Sequence, residues 1–287
     1  MDKCAPSKKF KDGSCFTLDN LQEIAMQYNK MYDDSIEIVN DKKILLRELN
    51  NKMKNRYNCS EQTCWLESKV IKSLNNNDIK HNTFRPKGPK KQYEWLSTND
   101  INGVMSQYMI KHKDFKYLGA LPYDFEELHY TGIDNINLKD LESKTPKIGM
   151  VINLDEHDQP GSHWVALYTN LANNKVYYFD SFGKKPGKRV TKFIRRILTY
   201  MYNKKHNTNF NVDQFMSMYH KSNEYDVRYN KKQHQFKNTE CGVYSMNFII
   251  RLLDNEDFDM IVDNITKDDA MNNCRKIYFR NTPGSTN

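Results

Sequence analysis

The chain has 287 residues, 38% of them hydrophobic and 12% aromatic, with a net charge of +8, which allows one large domain or a domain with an appendage. No run approaches the ~20 apolar residues of a membrane-spanning helix. The opening MDKCAPSKKF lacks the apolar core of a secretory signal, so synthesis and use in a cytosol-like compartment are expected. The charge is uneven. Residues 1–92 hold 18 Lys and Arg against 12 Asp and Glu, and residues 93–287 hold 26 against 24. A solvated lysine-rich surface accounts for the N-terminal surplus. The second reading is a weak, salt-sensitive contact with nucleic acid or an acidic partner.

Thr17 is placed to cap a helix with Leu21, Ile24, Ala25 and Tyr28 on one face. Asp41 is placed to cap a second, with Ile44, Leu45, Leu49 and Met53 inward. A third runs from Glu61 to Leu74 with Cys64, Trp65, Val70 and Ile71 as its apolar members. Residues 75–92, NNNDIKHNTFRPKGPKKQ, combine prolines, a glycine and a basic cluster, and read as a linker. The division expected is therefore a helical module over 1–82 and a larger domain over 83–287. Four cysteines fall in the module: Cys4, Cys15, Cys59 and Cys64. Unlinked thiols are the favoured reading for a reducing compartment. A structural metal or a pair of disulfides are the alternatives, and both would help a small module hold together.

In the larger domain, Ser97 or Thr98 starts a helix bearing Ile101, Val104, Met105, Tyr108 and Met109. LPYDFEELHY (121–130) suggests a short helix, and PKIGMVINL (146–154) an apolar strand. GSHWVALYT (161–169) is a second strand with His163 at its start. After a turn at Leu171–Asn174, a third strand ends at Asp180. Residues 189–203 form an amphipathic helix, and EYDVRYNKKQ (224–233) is a strand feeding a loop. Helices before and after a short mixed sheet give an α+β fold.

HQFKNTECGVYSMNFIIRLL (234–253) carries the chemistry. Apolar residues lie all round its helix, so that helix is expected to be buried. Cys241 falls at or near the first turn, where the helix dipole and free N–H groups favour a thiolate, the nucleophilic form of cysteine. Gly242 leaves room for a substrate backbone, and Gln235 offers an amide to a developing oxyanion. A cysteine nucleophile needs a base, and the base needs an orienting partner. Two neighbouring antiparallel strands would supply them as His163 and Asp180. His220 and His234 are rival bases, and Gln233 is a rival oxyanion donor. Taken singly, each of these residues has an ordinary structural role: a histidine before a tryptophan, an aspartate starting a turn, a cysteine as a small buried hydrophobe.

Taken together, HWVAL, then YYFDS, then Q-x5-CG resembles the ubiquitin-like-protein-specific protease family, which includes SUMO proteases and adenovirus-type maturation proteases. The order His, Asp, Gln, Cys is that family's order. YEWLSTNDIN (93–102) is similar to its WL-x-D-x-x-IN segment. KHKDFKYLGALPYDFEELHY followed by GSHWVAL looks most like the polyprotein-processing proteases of African swine fever virus and other large DNA viruses. The resemblance covers residues 84–280. It implies a catalytic helix packed against a central sheet, and a thiol protease that needs neither metal nor organic cofactor. It further implies that Trp95 and Trp164 cover a narrow channel for a Gly-Gly segment, with ordinary core packing as the alternative for either tryptophan. Three functions follow as expectations. The first is maturation of viral structural polyproteins in the virion and host cytoplasm. The second is deconjugation of SUMO or another ubiquitin-like modifier, and the third is a non-catalytic binding module.

Overall fold

The computed structural model describes residues 3–219 and 224–281. The chain divides into two units: Met1–Gly88 with Lys276–Thr282, and Pro89–Arg275.

In the first unit, α1 (Leu18–Met31) starts at a reciprocal cap between Thr17 and Asn20. It buries Leu21, Ile24, Ala25 and Tyr28, the face expected from their spacing. The Asp41 carboxylate accepts the N–H groups of Lys43 and Ile44 at the start of α2 (Lys42–Tyr57). That helix buries Leu45, Leu46, Leu49 and Met53. Ile44, expected inward, is 43% exposed: the buried stripe runs through 46, 49 and 53, on the far side of Leu45 from residue 44. The single helix expected over 61–74 is two, α3 (Gln62–Trp65) and α4 (Lys69–Ser73). Ser68 separates them, its hydroxyl donating to Trp65 O at 2.6 Å and accepting Ile71 N–H at 3.3 Å.

The four N-terminal cysteines are not free thiols. Cys4 pairs with Cys15 and Cys59 with Cys64. Cys4, Cys15 and Cys59 are buried in one core with Phe16, Trp65 and Phe84, and Cys64 packs against it. Nor is 75–92 a free linker. Ile79, Thr83 and Phe84 are buried, and Phe84 pairs with Cys4 as an isolated bridge. The boundary therefore falls at Gly88 and not at residue 82. The end of the chain returns to this unit: Arg280 N–H donates to Pro86 O at 3.0 Å, and Asn281 accepts the Gly88 N–H at 2.6 Å. Phe279 occupies the space where Gly88 would carry a Cβ, 2.4 Å from its Cγ.

The second unit opens with α5 (Thr98–Lys111), capped reciprocally by Ser97 and Asp100. Five strands follow as one mixed sheet in the order β1 (Phe115–Leu121), β2 (Lys147–Asn153), β3 (Trp164–Asn170), β4 (Lys175–Phe179) and β5 (Asp226–Tyr229). The outer pairs are parallel and the two inner pairs antiparallel. Strand β1 has no counterpart in the expected elements. The turn before β4 uses Asn174 at a positive φ of 52°, a conformation asparagine tolerates better than most residues. The helix expected over 121–130 is only a 3-10 turn at its end, His129–Thr131: Thr131 Oγ1 donates to the carbonyls of Phe125 and Leu128, and Asp124 is bound to His157. Helix α6 (Leu138–Lys144) intervenes before β2.

One sheet face packs Val165, Leu167, Val176 and Tyr178 against Phe193 and Ile197 of α7 (Lys188–His206); α8 (Val212–Met218) adds Phe215. The other face receives α9 (Cys241–Leu253), buried except at Asn247 and Arg251. Gly149 on β2 lets it approach, since a Cβ there would lie 3.1 Å from Ile249 Cγ2. Phe248 stacks on Phe179 of β4 at 4.8 Å. The shorter helices α10 (Phe258–Asp263) and α11 (Asp268–Asn273) follow. No helix among the described residues is long and apolar enough to cross a membrane.

The disulfides close short loops, and loop closure makes each worth about 2–3 kcal/mol. Replacing both Cys4 and Cys15 by Ser is expected to destabilise the first unit by that amount in a denaturant titration under oxidising conditions. An unchanged midpoint would mean the pair does not form in solution.

Candidate active site

The ends of β3 and β4 and the start of α9 supply the site. His163 lies immediately before β3, after Gly161 at a φ of +90°. A Cβ on Gly161 would sit 2.7 Å from Asn153 Nδ2, so the approach of this turn to Asn153 excludes a side chain. The carbonyl of His163 accepts Leu154 N–H at 2.9 Å, which fixes the backbone while the imidazole faces the sheet edge. Asp180 follows the last residue of β4, and its Oδ1 lies 2.7 Å from His163 Nε2.

Both groups are nearly closed off from solvent, at 8% exposure for His163 and 1% for Asp180. Asp180 Oδ1 also accepts Phe182 N–H at 2.8 Å. Its Oδ2 is buried without a hydrogen-bond partner, so the imidazole is the group that offsets this charge. The Phe182 ring stacks on His163 with centroids 4.6 Å apart, setting the imidazole plane. With Nε2 engaged by Asp180, Nδ1 is the ring nitrogen left for the Cys241 thiol, one of the groups that raise the imidazole's pKa. Burial pushes the His163 pKa down, but the hydrogen bonds to Asp180 and Cys241 and the negative charge on both raise it to about 9.

Cys241 is buried, carries a free thiol and is the first residue of α9. The residue before it, Glu240, makes no side-chain cap. The N–H groups of the first turn are therefore not taken up by a capping side chain. Gln235 is also buried. Its Oε1 accepts the Ser181 hydroxyl at 2.6 Å, and its Nε2 donates to Lys237 O at 2.7 Å. The second contact fixes the amide orientation, because a carbonyl must be met by N–H. One N–H of the amide remains for a ligand. Ser181 O also accepts the N–H groups of His234 and Gln235 at 2.8 and 2.9 Å. The residue after Asp180 thus holds the Gln235 loop in place.

The rivals have other work. His234 is buried against Phe179, bonded to Val262 O at 3.1 Å, and burial lowers its pKa. Gln233 Nε2 donates to Gln235 O at 2.8 Å and braces the loop. His220 lies outside the described residues.

Gly242 does not border open space. A Cβ on it would lie 3.1 Å from Leu96 Cβ and 3.4 Å from Ile101 Cδ1, so its missing side chain lets the segment leading into α5 close on α9. Leu96 in turn accepts the Trp164 indole N–H at 3.0 Å. Trp95 is 45% exposed. Trp95, Leu96, Tyr130, Gly161 and Trp164 border one cleft of about 570 Å³.

Asn230, just past β5, was not legible as a site residue. It is buried, its Oδ1 accepts Asp180 N–H at 2.8 Å, and its Nδ2 donates to Asp180 O at 2.6 Å. Both main-chain groups of Asp180 are thereby fixed from a neighbouring strand. An asparagine ending a strand carries no motif that would have revealed this; the clue lies in the parallel pairing of β4 and β5.

A free cysteine at the head of a buried helix, with its thiol on a carboxylate-held imidazole, defines a thiol hydrolase. The sequence pattern of the Ulp1 protease family, C-terminal catalytic domain, matches residues 129–282. A protein of Acanthamoeba polyphaga mimivirus, provisionally named a thiol protease, is 35% identical over 305 residues, which span 99% of this chain and 95% of its own. The cysteine protease of African swine fever virus is 24% identical over 243 residues, spanning 77% of this chain and 83% of its own. A crystal structure of that viral protease shares the fold, with a TM-score of 0.67 at 21% identity, over 98% of this chain and 96% of that one. The chain belongs to the Ulp1 protease family, and it is a cysteine protease whose substrates are proteins.

Asn230→Ala leaves the buried Asp180 N–H unsatisfied, while the Asp180 carbonyl keeps only the Gly183 N–H at 2.7 Å, and so frees that residue to shift. The expected result is a folded protein whose kcat/KM falls about 10- to 100-fold. Full activity in this variant would show that Asp180 is held by other means.

Proposed function

We propose that this chain is a maturation protease of a large DNA virus, which cuts structural polyproteins after Gly-Gly motifs in the virion and the host cytoplasm where virions assemble. The relatives from two large DNA viruses support the setting. The observation that carries the substrate class is the pinned indole of Trp164 sharing a cleft with the half-exposed Trp95. If these aromatic walls close on a bound peptide, they leave its backbone room but exclude a Cβ beside the scissile bond.

In this reading Cys241 attacks the carbonyl of the residue before the cut as a thiolate, its proton held by His163. A carbon–sulfur bond forms and the carbonyl oxygen becomes an oxyanion. The free N–H of Gln235 and the Cys241 main-chain N–H face that charge. His163 gives its proton to the departing amine as the peptide bond breaks. Water, deprotonated by His163, then cleaves the thioester and restores the thiol. Asp180 keeps the imidazole oriented through both steps and stabilises its charged form whenever it holds the proton.

A second reading is deconjugation of SUMO or another ubiquitin-like modifier, which uses the same chemistry. It is favoured by relatives from African swine fever virus named SUMO-1 cysteine protease.

The test is a peptide series with Gly, Ala or Val before the scissile bond, drawn from a viral polyprotein and from a SUMO tail. Wild type is expected to cut the polyprotein Gly peptide and to reject Ala and Val by on the order of 100-fold in kcat/KM. Cys241→Ala should cut nothing, and Trp164→Ala should lose rate on Gly while accepting Ala more readily. Near-equal cleavage of Gly and Val peptides by wild type would end the Gly-Gly assignment. A preference for the SUMO tail would favour the second reading.

A further inference from the structure

Arg275 is 1% exposed and is the last residue of the second unit before the chain leaves for the first. Its Nη2 donates to Glu94 O at 2.7 Å and to Thr239 O at 2.9 Å. Glu94 directly precedes Trp95 in the cleft wall. Thr239 lies two residues before Cys241. Neither carbonyl belongs to a helix or strand, so one guanidinium nitrogen joins two irregular segments that carry opposite sides of the proposed reaction.

The rest of the guanidinium is unusual. Nε and Nη1 are buried without hydrogen-bond partners. A buried cation that touches only neutral carbonyls is costly unless charge nearby offsets it. Burial lowers the pKa of Arg275, and the negative groups that raise it again are Glu240, Asp100, Cys241 and Glu94. Glu240 is completely buried, and its carboxylate is occupied by the Thr239 N–H and hydroxyl. Through Thr239 the guanidinium is held two residues from Cys241. A residue that merely filled space here would need neither the charge nor the double hydrogen bond.

We infer that Arg275 is a positioning residue for proteolysis, fastening the substrate wall at Trp95 to the nucleophile loop and placing a positive charge behind the Cys241 thiolate. The inference rests on Cys241 being the nucleophile. It predicts two separable effects, one on substrate binding through the wall and one on thiol reactivity through the charge.

The experiment uses the full-length chain as wild type, Arg275→Met and Arg275→Lys. Each is tested for the rate of iodoacetamide alkylation of Cys241 at pH 6, mapped by mass spectrometry, and for kcat and KM on one Gly-Gly peptide. Arg275→Met removes the charge and both hydrogen bonds. It is expected to alkylate about tenfold more slowly and to show a KM raised severalfold. Arg275→Lys keeps the charge but cannot hold both carbonyls in the same geometry. Its alkylation rate should stay within about twofold of wild type while KM still rises. A purely structural arginine would lower the melting temperature and leave both readouts of the folded protein unchanged, which would overturn the inference. If Arg275→Met does not fold, Arg275→Lys decides: an unchanged KM overturns it. Failure of the underlying assignment looks different, since wild-type inactivation would then map to a residue other than Cys241.

Discussion

The hydrogen bond between His163 and Asp180 is the constraint on which the site depends. A carboxylate closed off from water, with one oxygen lacking any hydrogen-bond partner, needs a positive partner. The imidazole beside it therefore holds its proton to about pH 9. The sign of this shift ties the chemistry to stability. The folded value lies above the ordinary 6.5, so the pair adds stability fully below about pH 6.5 and loses it as pH rises through about 9. Over the neutral range the protein gains from keeping His163 charged, and a charged imidazole is what a neighbouring thiolate requires.

The rest of the second unit serves this pair. Antiparallel pairing of β3 with β4 brings a strand beginning and a strand end to one end of the sheet, where His163 and Asp180 meet. Parallel pairing of β4 with β5 brings Asn230 against the Asp180 backbone. Ser181, next in the chain, holds Gln235 by its hydroxyl and its carbonyl. Glycines are used where two segments must close on each other. Gly183, at a φ of +74°, would place a Cβ 2.9 Å from the Lys232 carbonyl carbon, and Gly242 admits Leu96. Leu96 then pins Trp164. One buried leucine thus links the packing of the nucleophile helix to the wall of the substrate cleft.

The parts legible in the sequence are those where residue type and element end coincide. His163 opens a β-branched strand, Asp180 follows an aromatic one, and Cys241 heads a largely apolar helix; periodicity marks those element ends, and the family resemblance joins the three residues into one site. The parts that stayed hidden depend on long-range packing. Gly242 looked like space for a substrate because its filler, Leu96, lies 146 positions earlier in the chain. The cysteine pairs hid because spacing does not define partners, and a reducing compartment argues against them. Residues 75–92 look like a linker by composition, yet Ile79 and Phe84 are core residues. Asn230 and Arg275 are single buried polar side chains bonded to main chain, and nothing in their local sequence marks them.

The charge state of His163 is the most direct check on this account. An NMR titration of the imidazole resonances, with His163 assigned by its loss in His163→Asn, reads it without reference to any substrate. The imidazolium is expected to persist through neutrality and to titrate at about pH 9, with a lower midpoint in Asp180→Asn. A wild-type midpoint at or below 6.5, unchanged in Asp180→Asn, would contradict it.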